Sequence, residues 1–217
     1  MKKILTIAIL VLGTAAFAAG DWAAFGRYAE ANKNVKQAPT LVIMGDSITD
    51  FWPNKTPSDF FNKNNIVGRG ISGQVTSQML VRFRRDVLDL KPKYVAILAG
   101  TNDIAQNQGY ISAENIVGNI ISMVEIARAN KIKPIVCSIL PAAKYPWRPE
   151  IQSVPMVQKI NQMLKDYCKK HKVKYIDFYT PMADENNGLP KKYANDGIHP
   201  TSDGYAVMEK VLLENLK

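Results

Sequence analysis

Cysteine and histidine are scarce in this chain, and that scarcity removes several classes of protein at once. Two cysteines in 217 residues exclude a disulfide-dense scaffold. Cys137 lies in an apolar run and Cys168 in a helical pattern, so both read as buried thiols that would pair only if that helix packed on that strand. No His-Glu-x-x-His run and no paired-cysteine spacing occurs, and there are only two histidines, so no metal is implied. Phosphate-cradling glycine loops are missing, and no other cofactor is implied. The Gly-x-Ser-x-Gly turn of the α/β-hydrolases is also missing. No apolar run approaches the ~20 residues that span a bilayer, so no integral membrane association is expected. The formal charge is +9, but it lies in short groups such as Lys169, Lys170, Lys172 and Lys174. A nucleic-acid binder would instead show a basic face interleaved with aromatics. A solvated basic surface is the expectation, with no nucleic-acid partner; a weak preference for anionic polymers or membrane surfaces is the alternative.

What is present begins with an export pattern. Lys2 and Lys3, an apolar segment over 4–12 and the small-residue pattern Ala16-Phe17-Ala18 have the three parts of a cleavable signal peptide. Residues 1–18 are therefore read as signal peptide and 19–217 as a single domain, periplasmic or extracellular. The remaining length suits one domain. No fixed-period repeat or linker is visible, and the only soft stretch is 32–40.

Short, nearly continuous apolar runs at 41–44, 66–67, 95–99, 135–140 and 173–178 predict strands buried on both faces. Between them, Met79, Leu80, Phe83, Val87 and Leu88 follow helical spacing, as do Ile116, Ile120, Val124 and Ala127. Met156, Ile160, Met163, Leu164 and Tyr167 predict a third helix, and Tyr205, Met208, Val211 and Leu212 a fourth, with Ser202 as its N-cap. Alternating strands and helices with right-handed crossovers give an α/β fold, a three-layer α/β/α sandwich of flavodoxin-like type around a central parallel five-stranded sheet. Ligands of such sheets gather beyond the carboxyl ends of the strands.

Four stretches carry chemistry. Gly45-Asp46-Ser47-Ile48 follows the first strand, Gly70-Ile71-Ser72-Gly73 the second and Gly100-Thr101-Asn102-Asp103 the third, while Asp196-Gly197-Ile198-His199 lies near the end. A serine hydroxyl needs an adjacent base, and that base needs an orienting partner. Of the two histidines, His171 sits at the basic end of a helix, where the helix dipole accounts for it. His199 follows Asp196 by three residues across a glycine, a spacing that brings a carboxylate to the imidazole in one tight turn.

In this order the four stretches resemble the blocks of the SGNH hydrolases, the GDSL-type esterases and lipases, over 41–205. The resemblance implies a serine hydrolase acting on carboxylic ester bonds, with Ser47, His199 and Asp196 as the triad. It also implies an oxyanion hole made of the backbone N–H groups of Ser47 and Gly73 and the side-chain amide of Asn102. Asp46 and Asp103 read as supports behind the reacting groups. Where the family's second block often opens with Asn, this chain has Gly68. Two aromatic segments could line the entrance, Phe51-Trp52-Pro53 and Tyr145-Pro146-Trp147-Arg148-Pro149. Trp52, Tyr145, Trp147 and Arg148 are the candidate rim side chains, stacking on a sugar or covering an acyl chain, unless the rings pack on the domain. The expected substrate is a small or polysaccharide acyl ester, with acetyl as the favoured acyl group. Lysophospholipids or thioesters, transfer to a second alcohol, and a non-catalytic carbohydrate-binding module stay open at this point.

Overall fold

The structure, a computed structural model, describes residues 20–56 and 59–216; the proposed signal peptide lies outside them. Helix α1 (Ala29–Lys33) precedes strand β1 (Leu41–Gly45), followed by α2 (Ser47–Lys55), α3 (Phe60–Lys63) and β2 (Ile66–Gly70). Next come α4 (Thr76–Asp86), β3 (Tyr94–Leu98), α5 (Thr101–Ile104), α6 (Ala113–Ala129) and β4 (Lys133–Cys137). The described chain closes with α7 (Ser153–His171), β5 (Lys174–Ile176), α8 (Tyr179–Met182) and α9 (Ser202–Leu216).

All strand pairs are parallel, in the order β2-β1-β3-β4-β5. This is the expected flavodoxin-like α/β arrangement. Period-2 alternation sends successive side chains to opposite faces. Val42, Met44, Val95, Ile97 and Val136 pack with Met79 and Phe83 of α4, Val124 of α6 and Leu164 of α7. Leu41, Ile43, Ala96, Leu98 and Ile135 pack with Ile48 and Trp52 of α2 and Tyr205, Met208 and Leu212 of α9. Each such aliphatic side chain, taken fully out of water, contributes roughly 1.5–3 kcal/mol, which is why both faces of so short a sheet are covered. Cys137 belongs to the α9 side and Cys168 to the α7 side, so the two buried thiols are free and on opposite faces of the sheet.

Three expectations need adjustment. The run over 135–140 stops pairing at Cys137 because Asn161 of α7 replaces the ladder beyond it, accepting from the Ile139 N–H (2.8 Å) and donating to the Ile139 carbonyl (3.0 Å). The α9 cap is Thr201 rather than Ser202: the Tyr205 N–H donates to its carbonyl and the Gly204 N–H to its hydroxyl. Within the stretch read as soft, Asn32 is pinned, donating to the Arg85 carbonyl and Asp86 and accepting from Arg69. Among the described residues no helix is long and apolar enough to cross a membrane.

Candidate active site

The order β2-β1-β3 makes the chain leave β1 toward one side of the sheet and return to β3 on the other, and the crevice at such a switch point is where ligands lie. Ser47 follows β1 and Asn102 follows β3, one on each side of it. Ser47 is the first residue of α2, and the Asp46 carboxylate caps that helix by accepting from the Ile48 N–H at 2.9 Å. The helix start can sit this tightly on the sheet only because Gly70 ends β2: a Cβ there would come within 2.2 Å of the Asp50 nitrogen and 2.5 Å of the Asp46 carbonyl oxygen.

His199 arrives from the loop before α9. Ser47 Oγ lies 2.9 Å from His199 Nε2, and His199 Nδ1 lies 2.6 Å from Asp196 Oδ2. The other oxygen of Asp196 accepts from the N–H groups of Ile198 (2.9 Å) and His199 (2.8 Å), closing the tight turn expected from the spacing. Ile198, only 2% exposed, anchors this turn in the core. Partial burial acts to raise the Asp196 carboxyl, but the His199 ring and the two backbone donors outweigh it and bring it down to about 2. Asp196 is thus an anion over the working range, as an imidazole that must accept a proton requires.

Gly73 lies in the turn after β2 with φ +79°, a region that favours glycine. Its N–H and that of Ser47 donate to nothing among the described residues. The turn is tied to α2 by Asp50, which accepts from the Ser72 hydroxyl (2.8 Å) and N–H (3.3 Å). Asn102, 4% exposed, gives one amide hydrogen to the Gln74 carbonyl at 3.0 Å, leaving the other uncommitted. Its own Oδ1 accepts from Asn107 Nδ2 at 2.8 Å, and Asn107 Oδ1 accepts from Trp147 Nε1 at 2.9 Å. An ordered line of donors therefore runs from the rim to the candidate oxyanion donor.

Asp46 and Asp103 lie behind these groups. Burial pushes the Asp46 carboxyl up to about 7, with the Asp103 charge adding to the rise and the Ile48 N–H opposing it. Asp103 is raised by burial against its bonds to Thr76: it accepts from the Thr76 N–H (2.9 Å) and hydroxyl (2.5 Å), locking the Asn102 loop to the start of α4.

Two rim expectations are corrected. Trp52 is fully buried, because 51–53 is helix rather than loop and its position four residues after Ile48 turns it into the core, between Phe60 (5.9 Å) and Tyr205 (5.4 Å). Phe51 takes the outward place, its ring 5.3 Å from that of His199. Tyr145 is also fully buried, beneath Trp147. Trp147 and Arg148 are exposed, and Arg148 stands 3.8 Å from Glu150. His171 closes α7, its ring stacked on Tyr167 at 4.4 Å and its carbonyl accepting from Arg128, far from the site as the helix-end reading has it.

Residues that the motifs did not flag complete the frame. Arg82 is fully buried, paired with Asp86 at 2.8 Å, and donates to Gln74 Oε1 and the carbonyls of Gly45 and Arg69, tying the ends of β1 and β2 to the turn that carries Gly73. Asn107, Asp50 and Arg82 carry no periodic signal; only a count of the polar groups that these loops leave to be satisfied would have pointed to them. Among the described residues no three His, Cys, Asp or Glu side chains gather to hold a metal.

A cavity of about 380 Å³ opens beside His199 and Asp196, lined by Lys55, Asn195, Thr201 and Ser202. The arrangement can accept a proton from a hydroxyl, hold the resulting imidazolium and present N–H donors to an oxyanion.

A family model of the GDSL-like Lipase/Acylhydrolase family matches residues 43–207. Among solved structures, an acylhydrolase structure from Bacteroides fragilis is 44% identical with a TM-score of 0.87, over 90% of this chain and 97% of that one. A GDSL-like lipase from Bacteroides thetaiotaomicron is 43% identical with a TM-score of 0.84, over 90% and 98%. The uncharacterized lipoprotein YqeF of Bacillus subtilis is 29% identical over 169 residues, and this chain spans 60% of its length. With the match running from the middle of β1 into α9 and four motifs on one rim of the sheet, the chain belongs to the GDSL-like lipase/acylhydrolase family.

Proposed function

We propose that this protein is an exported serine esterase that removes short acyl groups, acetyl foremost, from the hydroxyls of a carbohydrate or similar polar alcohol. The reading rests above all on the line Ser47 Oγ–His199 Nε2–Asp196, with separations of 2.9 and 2.6 Å. Ser47 Oγ attacks the acyl carbonyl carbon as His199 Nε2 takes its proton, and Asp196 holds the imidazolium that forms. The carbonyl oxygen, now negative, is met by the Ser47 and Gly73 N–H groups and the free amide hydrogen of Asn102, each worth ~3–4 kcal/mol when preorganised. On collapse the alcohol leaves with the proton from His199. Water, deprotonated by the same imidazole, then attacks the Ser47 acyl-enzyme, and a second collapse frees the acid and restores the hydroxyl.

The cavity of about 380 Å³ beside the imidazole brings the polar side chains of Lys55, Asn195, Thr201 and Ser202 to the entrance, groups that suit a polar alcohol. Exposed Trp147 and half-buried Phe51 give a sugar ring aromatic surface to lie on. Steady-state kinetics on p-nitrophenyl acetate, butyrate and decanoate and on acetylated xylo-oligosaccharides test this. Acetate turnover abolished by Ser47→Ala is expected, while preference for the decanoate or inactivity on every ester contradicts it.

A further inference from the structure

Three successive helix-to-strand junctions carry the same tripeptide pattern: Lys91-Pro92-Lys93 before β3, Lys131-Ile132-Lys133 before β4 and Lys172-Val173-Lys174 before β5. In every case the middle residue is buried and both lysines are exposed. The first lysine of each adopts left-handed backbone, with φ of 52°, 63° and 53°. Glycine sits at such helix ends with less strain and is the common choice there, so a lysine in all three is a side chain retained against local backbone preference. In a parallel sheet every such junction returns to the same edge. The six lysines accordingly share one pole of the molecule, at the amino ends of the strands and away from Ser47.

At that pole Arg128, Lys131, Lys133, Lys172 and Lys174 line a cavity of about 470 Å³ with Tyr94 at its wall. A second cavity of about 470 Å³, with Arg84 and Lys91, adjoins it through Lys131. Asp89 is the one acidic side chain lining either. None of these cations forms an ion pair among the described residues. Helix ends account for some of these cations, at α6 and α7 and for Lys174, which donates to the Asn215 carbonyl in the last turn of α9, but not for Lys93 and Lys133.

We infer that this pole binds a polyanionic polysaccharide, one carrying regularly spaced carboxylate or sulfate groups. The charges extend across two joined troughs, too far for a single small anion. The Tyr94 ring is covered by the ammonium groups of Lys93 (5.2 Å) and Lys133 (5.7 Å), so no open aromatic face is offered to a nucleobase. No exposed large hydrophobic lines either cavity, which leaves nothing to insert into a bilayer. A chain held at this pole would keep the enzyme on an acidic glycan while the far end of the strands carries out the chemistry.

The test titrates the full chain, by fluorescence anisotropy, with labelled polygalacturonate oligomers in 50 and 200 mM NaCl. Parallel arms use neutral dextran, vesicles containing phosphatidylglycerol, and a 20-base-pair DNA. Polygalacturonate is expected to bind at least tenfold more tightly than any of these, and to weaken at least tenfold at the higher salt. The variant Lys131→Gly/Lys133→Ala/Lys172→Gly/Lys174→Ala should lose at least tenfold in affinity, with Tm at or above the parent's and p-nitrophenyl acetate turnover unchanged. The Tm separates lost binding from lost folding, and the ester assay keeps this outcome distinct from the esterase reading. Equal affinity in the variant, no binding at 50 mM salt, or tighter binding to vesicles or DNA overturns the proposal.

Discussion

Asn107 touches neither Ser47 nor His199, yet replacing it by leucine should slow acyl transfer through Asn102. Of the two contacts that fix the Asn102 amide, one is its donation to the Gln74 carbonyl at 3.0 Å and the other is the bond it accepts from Asn107 at 2.8 Å. Leucine keeps the volume and removes the second. A net hydrogen bond in a buried setting is worth about 0.5–1.5 kcal/mol. If that energy is what holds the donor in line for the transition state, kcat falls roughly 2- to 13-fold, with KM unchanged because the ground-state ester makes little use of the donor. Asn102→Ala removes the donor altogether and should cost about 10²–10³ in kcat. The decisive quantity is the double variant. Because Asn107 acts only through Asn102, Asn102→Ala/Asn107→Leu should be no slower than Asn102→Ala alone, measured by steady-state hydrolysis of p-nitrophenyl acetate. Additive losses, or a change in KM alone, would refute this reasoning.

Other outcomes follow from the same geometry. Trp147→Phe keeps the ring and loses the N–H that Asn107 accepts; it should give a smaller fall in kcat with the same unchanged KM for acetate. Asp46, raised to about 7 from its ordinary 3.8, holds a proton in the folded chain that the unfolded chain releases. Its contribution to stability is therefore full below pH ~4 and is lost at about 1.4 kcal/mol per pH unit as pH rises toward 7. Urea unfolding from pH 4 to 8 should show this slope in the parent and lose it in Asp46→Asn, whose amide still caps α2; matching slopes would contradict the burial argument. Asp196 works in the opposite direction. Held at about 2, it stabilises above pH ~4, and that contribution fades as pH falls toward 2, so Asp196→Asn should flatten the acid limb of the same titration. Gly70→Ala drives a Cβ into the start of α2. Overpacking of this kind costs typically 1–3 kcal/mol, and here it should lower Tm and kcat together.

The five strands and four long helices were legible because apolar periodicity is dense in this chain, as in Met79, Phe83 and Val87 of α4 and its following turn. Ser47, Gly73 and Asn102 were legible as positions because each follows an apolar run, and Asp196 and His199 because three residues across a glycine separate a carboxylate from one of only two histidines. What stayed hidden has physical causes. Trp52 looked like a loop aromatic because Pro53 follows it, but α2 tolerates Pro53 near its carboxyl end while its i, i+4 geometry drives Trp52 inward. Tyr145 and Trp147 are two residues apart and cannot be told apart by composition, though one is fully buried and the other 42% exposed. Asn107 and Arg82 matter through bonds to carbonyl and amide groups distant in sequence, which no local pattern records. The lysines seemed scattered because charge was read along the chain, whereas a parallel sheet gathers every helix-to-strand junction at one edge.

The central claim is that the Ser47 hydroxyl is the nucleophile and His199 its base. Intact-mass and peptide mass spectrometry of the folded protein treated with a fluorophosphonate tests it most directly. One adduct per chain, on Ser47 and lost in His199→Ala, is the expected result. An unlabelled Ser47 in protein that still turns over p-nitrophenyl acetate, or an adduct on another residue, would contradict the account.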